Sequence, residues 1–144
     1  LENSDEKMKI KVRDFIDFFA AIAAAFIFYK LLTIATGSST PIVSVASSSM
    51  IPNLYPGDLV FAIEAKDLKI GDIIIYRANC YGLPKKDIIH RIIRFEDSKI
   101  ITKGDNNPIA DPCPIEKSQI KGKVIFAIPL LGWPRLLLSY IGIE

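Results

Sequence analysis

The 144-residue sequence has one histidine and two cysteines. Each scarcity excludes something. Any histidine chemistry has to run through His90. Cys80 and Cys113 form no CxxC pair, and two thiols with one histidine argue against a zinc site. The two cysteines form a disulfide if they lie outside the cytoplasm, or stay as thiols; the sequence leaves both open. Neither sign of charge is in excess. Lys+Arg 18 against Asp+Glu 16 gives a net charge of +2, which offers no bulk argument for a nucleic-acid partner. No GxGxxG, GxxxxGK[ST] or HExxH run occurs, so nucleotide and metalloprotease readings lack their motifs.

Apolar residues are plentiful: the chain is 50% hydrophobic, with a mean hydropathy of +0.30. Residues 15–35 read FIDFFAAIAAAFIFYKLLTIA, and a helix needs about 20 apolar residues to cross a bilayer. Asp17 lies near its start and Lys30 near its end, where a long side chain can snorkel to the headgroups. Lys7, Lys9, Lys11 and Arg13 precede the segment, and after it no basic residue comes before Lys66. The positive-inside rule then puts the N-terminus in the cytoplasm. The expected organisation is a basic cytoplasmic stretch at 1–14, a transmembrane helix at 15–36 and an extracytoplasmic domain at 37–144. That makes a single-pass protein of the cell membrane. The alternative is a helix buried in a soluble core, but a chain this short has little room to bury one that is apolar all round.

From Pro41 the pattern changes to short β-branched runs between turns: IVSVA, LVFAIEA, IIIYRA, IIHRIIRFE, IITK and KVIFAIPLL. These runs are too short for helices and are punctuated by Gly and Pro. They predict a mainly β domain, a small curled, barrel-like sheet. PGDLVFA and IGDIIIY each read as a Gly-Asp turn followed by a strand, which suggests two similar strand starts. The last strand is expected to reach about Ile128. Pro129, Gly132, Pro134 and Arg135 interrupt the apolar run that follows. A short membrane-resting helix from about Pro134 is expected, with a second span as the alternative.

The chemistry-bearing cluster is SVASSSMIP. A hydroxyl is a poor nucleophile until a neighbouring base takes its proton. Imidazole, with an unperturbed pKa of about 6.5, suits that task. Strand alternation in DIIHRII puts His90 on the face of Ile88 and Ile92, opposite Ile89 and Arg91. On that feature alone, a satisfied core histidine is the plainer reading. TKGDNNPIADP adds Asp105 and Asp111, and in isolation GDNN is an Asx-rich turn. Serine, histidine and aspartate together in one β domain outline a triad.

The order S-x-S-M-x-P, G-D-[IL]-[VI], H-R and K-G-D-N-N-(x)4-D resembles type I signal peptidases. In particular it is similar to the archaeal and eukaryotic endoplasmic-reticulum branch, where histidine replaces the lysine of most bacterial enzymes. The resemblance runs from about Val43 to Gly132. It implies a signal peptidase catalytic β domain behind an N-terminal transmembrane helix, with no cofactor and no metal. Met50 and Pro52 fix the register, so Ser49 matches the nucleophile. Ser47 matches a hydroxyl that helps the Ser49 N–H hold the oxyanion. His90 matches the general base and Asp111 the acid that orients it. Asp105 matches a second aspartate, one that stabilises the site and is the rival for that role. The family usually carries glycine where this chain has Ser48. The implied partners are signal-peptide-bearing precursor proteins and membrane lipid, with the secretion machinery a further candidate. Two other readings stand beside this one: a self-cleaving repressor-type protease, and a non-enzymatic, membrane-tethered β module that binds extended peptides.

Overall fold

The computed structural model describes residues 2–79, 82, 83, 85–133 and 137. It divides into two compact units, 1–35 and 36–144.

The first unit is helical. Helix α1 spans Glu2–Thr36 and begins well before the apolar segment. The reason is local: residues 2–14 hold Glu, Lys and Met, good helix formers, and no Gly or Pro. Within it, Val12–Thr36 is long and apolar enough to cross a membrane. Ile16, Phe18 and Phe28 lie on different sides of the helix, each more than 60% exposed. A helix apolar all round suits lipid as its solvent. The Lys30 ammonium lies 5.5 Å from the centre of the Phe26 ring, one turn back, a cation–π contact that shields the charge.

The second unit is one six-stranded antiparallel sheet. Its strands are β1 (Ile42–Ser44), β2 (Leu59–Ile63), β3 (Ile73–Arg77), β4 (Asp87–Glu96), β5 (Lys99–Lys103) and β6 (Ile120–Ile128). A 3-10 turn, Lys117–Gln119, leads into β6. The order across the sheet is β1-β2-β6-β3-β4-β5. The sheet therefore stays open, with β1 and β5 as edges, rather than closing as a barrel. Register shifts at Phe61/Ala62, Ile75/Tyr76 and Ile92/Arg94 are the bulges that bend and twist it. β6 approaches β2 closely at Gly122, which has no side chain. A Cβ there would stand 3.0 Å from the Ala62 Cβ and 3.1 Å from the Ile63 carbonyl oxygen.

The two Gly-Asp turns are built alike. Gly57 and Gly71 have φ of 94° and 97°, values that favour glycine. In each turn the aspartate accepts from the N–H three residues earlier: Tyr55 to Asp58 and Lys69 to Asp72, both at 2.8 Å.

Two buried clusters flank the site. One holds Ile74, Tyr76, Ala78, Ile88, Ile92, Ile100 and Ile115. The other holds Val45, Met50, Leu54 and Val60. The last strand ends at Ile128, as expected. The proposed helix from about Pro134 falls largely outside the described residues. Cys113 is disulfide-bonded; Cys80 lies outside the described residues.

Candidate active site

The serine run leaves β1 and turns at once. Ile51 N–H bonds to Ser48 O at 3.2 Å, and Asn53 and Leu54 N–H both bond to Met50 O at 2.9 and 3.0 Å. Met50 is 1% exposed. Burying a methionine stabilises by roughly 1.5–3 kcal/mol, so Met50 is the anchor that fixes the backbone next to Ser49. Pro52 is exposed and follows a cis peptide bond. Ser48 is exposed and its φ is negative, so serine fits where the signal peptidase pattern has glycine.

His90 lies mid-strand in β4, opposite Ile74 of β3. The burial of β4 alternates as its sequence predicts, with Ile88, His90 and Ile92 all inward. The strand ladder thus delivers a polar ring to an apolar face, and two partners meet it there. Nδ1 lies 2.7 Å from Asp111 Oδ2, and Nε2 lies 3.2 Å from Ser49 Oγ. An ionised carboxylate can only accept, so Nδ1 carries the proton. Nε2 is then the free acceptor, facing the serine hydroxyl. Ser47 Oγ is 3.1 Å from Ser49 Oγ on the other side.

Asp111 follows β5 and is fixed to it by its own N–H, which bonds to Thr102 O at 2.8 Å. Its carboxylate also accepts from Tyr76 Oη at 2.8 Å and Thr102 Oγ1 at 2.6 Å. Burial pushes the Asp111 carboxyl up. The hydrogen bonds from His90, Thr102 and Tyr76 outweigh it and hold the carboxyl below its ordinary value. Burial drives the Tyr76 phenol far above its usual range, so it stays protonated and donates.

Asp105 is placed differently. Arg91 grips it with two bonds, Nε to Oδ1 at 2.8 Å and Nη2 to Oδ2 at 2.7 Å. Asn53 Nδ2 adds a third at 2.8 Å, and Arg91 Nη1 reaches Gly71 O at 2.7 Å. The Arg91 guanidinium pulls the Asp105 carboxyl below its ordinary value. Asp105 thus ties the serine turn to β4 and to the turn before β3. The rest of the GDNN run holds the serine directly. Asn106 N–H bonds to Ser49 O at 2.8 Å, and Asn106 Nδ2 to Ser48 O at 3.2 Å.

A cleft of about 340 Å³ opens over Ser49 and His90, walled by Val45, Ala46, Met50, Leu83 and Ile88. It is mainly apolar.

The arrangement has the form of a serine hydrolase site. No family model matches the chain. Individual proteins do. The signal peptidase complex catalytic subunit SEC11 of Eremothecium gossypii is 34% identical over 139 aligned residues, covering 87% of this chain and 81% of that one. The chain belongs to the SEC11 signal peptidase family. The sec11 protein of Sclerotinia sclerotiorum is 34% identical over 139 residues, covering 86% and 78%. The SEC11 protein of Lachancea thermotolerans is 32% identical over 148 residues, covering 92% and 86%.

For a SEC11 relative, the residues expected from sequence fall into two groups here. Ser47, Ser49, His90 and Asp111 come together. Asp105 stands apart, in the Arg91 pair. Sequence reasoning missed Tyr76, Thr102, Arg91, Asn53 and Asn106. One signal was available: Tyr76 in IIIYR falls, by alternation, on the buried face with Ile74, a polar atom where the strand is otherwise apolar. Arg91 and Asn106 stood within the H-R and K-G-D-N-N runs without a role of their own, and Asn53 gave no signal because its partner is 52 residues away.

Proposed function

We propose that this signal peptidase cuts with Ser49 as nucleophile, His90 as general base and Asp111 as the acid that orients the ring. The carrying observation is the unbroken chain from Ser49 Oγ through His90 to Asp111, with contacts of 3.2 and 2.7 Å. Ser49 Oγ attacks the scissile carbonyl while Nε2 takes its proton. Asp111 stabilises the imidazolium that forms. The Ser49 N–H holds the oxyanion. The Ser47 hydroxyl, which rests against Ser49 Oγ, reaches it by rotating about its own χ1. His90 then protonates the leaving amine, and water releases the acyl-enzyme with His90 again as base.

The substrates are signal-peptide-bearing precursors whose apolar segment lies in the same membrane. The segment to be cut is extended, and the open edge at β1 offers main-chain groups for it to pair with. The apolar cleft takes its side chains. The basic residues before α1 favour a cytoplasmic N-terminus, with the sheet unit, residues 37–144, on the far side. A shared membrane raises the effective concentration of enzyme and substrate. The relatives are named as subunits of a complex, which makes further subunits and the secretion machinery natural partners. The repressor-type reading needs a lysine base, and Ser49 faces His90.

A serine-directed electrophile tests the assignment. The adduct is expected on Ser49, and His90→Ala should slow its formation. An adduct on Ser47 or Ser48, or none on an enzyme that cleaves, would refute it.

A further inference from the structure

We propose that Tyr76 and Thr102 are positioning residues that together hold Asp111 ionised and fixed beneath His90. The inference rests on the triad reading and deepens it.

The argument is a count of protons. Tyr76 Oη, Thr102 Oγ1 and Asp111 Oδ2 form a triangle with edges of 2.8, 2.6 and 3.0 Å. Each hydroxyl has one proton to give, and an ionised carboxylate has none. The two shorter edges both run to Asp111, so both protons go there. The 3.0 Å edge between the hydroxyls is left without one. His90 Nδ1 adds a third donor to the same oxygen at 2.7 Å. Oδ2 is thus saturated. Three donors on one oxygen stabilise the charged carboxylate more than the neutral acid, whichever oxygen a proton would take. The site therefore resists protonation of Asp111 and leaves the carboxylate one orientation, the one that presents Oδ2 to the imidazole.

Burial makes this arrangement consequential. Tyr76 and Thr102 are fully buried, at 0% exposure. The side chains of His90 and Asp111 are 7% and 4% exposed. Water cannot replace a missing donor without a cavity to enter, and a donor to a charged group is worth more in a low dielectric. Tyr76 and His90 also meet ring edge to ring face, with centroids 6.4 Å apart at 62°, so one side chain fixes both the acid and the base. The placement follows from strand pairing. Tyr76 lies two residues after Ile74, the partner of His90 in β3, and Thr102 in β5 pairs with Ile92, two residues after His90. Donors from the strands on either side of β4 converge on a residue from the following loop.

The test uses the full chain in lipid nanodiscs, with the variants Tyr76→Phe, Thr102→Val and Thr102→Ser. The chain's single histidine makes its imidazole ¹⁵N and N–H signals report on His90 alone. Losing one donor should lower kcat about tenfold, as expected for a hydrogen bond to a charged group, with KM little changed. The acid limb of the kcat profile should move to higher pH, because a carboxylate with one donor fewer favours the imidazolium beside it more strongly. The Nδ1–H signal should shift or broaden. Thr102→Ser keeps the hydroxyl and should recover most of the rate lost in Thr102→Val. Variants with a lower melting temperature but wild-type kcat, pH profile and imidazole signals would overturn the proposal. A variant that does not fold is replaced by its neighbour in the triangle, since either hydroxyl alone tests the count. If the wild type itself failed to cleave, or His90→Ala cleaved normally, the triad reading would fall. If only the hydroxyl variants behaved like wild type, this inference alone would fall.

Discussion

Removing the Asp105 carboxylate separates the two aspartates that the sequence could not rank. In Asp105→Ala, Arg91 loses both charged bonds and Asn53 loses its acceptor. Exposed ion pairs contribute about 0.2–1 kcal/mol, whereas deleting one partner of a buried pair costs about 3–5 kcal/mol. The Arg91 and Asp105 side chains are 28% and 13% exposed, between those limits. A loss of about 2 kcal/mol follows, which in a domain of this size lowers Tm by about 10 °C. The chemistry should suffer less. Asp105 acts on the serine turn through Asn53, so kcat per folded molecule should fall less than about tenfold. Asp111→Asn should instead cost on the order of 10⁴ in kcat, because an amide in that place favours the wrong imidazole tautomer. The assay is precursor cleavage per folded molecule, with the folded fraction taken from thermal unfolding. The reasoning fails if Asp105→Ala loses cleavage by orders of magnitude at an unchanged Tm. It fails equally if Asp111→Asn is the milder variant.

Three further outcomes follow from the same geometry. Gly104→Ala would place a Cβ 2.7 Å from Ser49 O and 2.8 Å from Asn107 Nδ2; cleavage should drop more than about tenfold while far-UV circular dichroism stays intact. Asp58→Ala removes the acceptor of the Tyr55 and Leu130 N–H groups at a residue 5% exposed, and should cost about 2–3 kcal/mol in denaturant unfolding. For pH, the Asp105 and Asp111 carboxyls are both held below their ordinary values in the fold. Their stabilisation is fully present above the unfolded pKa of about 4 and is lost as pH falls through the folded values. Tm should therefore be nearly flat from pH 7 to about 5 and fall below about 4, and Asp105→Ala should shallow that fall.

Local patterns carried a good part of this structure. The alternation of DIIHRII gave the inward face of β4, and the Gly-Asp turns gave the starts of β2 and β3. Neither pattern contains the sheet order. β6 enters between β2 and β3 through pairings with residues far away in the sequence. The bulges that bend the sheet are likewise announced by no short run. At the site, His90 was visible as a polar ring on an apolar face, but the same face carried Tyr76 unnoticed. Its hydroxyl has meaning only beside Asp111, which is 35 residues away. The GDNN run read as an Asx turn. Its grip on Ser49 through Asn106, and on Asn53 through Asp105, is a tertiary fact. The apolar run marked a candidate span, and the helix itself extends further because helix propensity continues through the charged residues before it.

The most direct measurement is cleavage of a signal-peptide-bearing precursor reconstituted in liposomes with wild type, Ser49→Ala and His90→Ala. Wild type should release the mature protein, and both variants should lose nearly all of that activity while binding the precursor normally. Normal cleavage by Ser49→Ala would contradict the account.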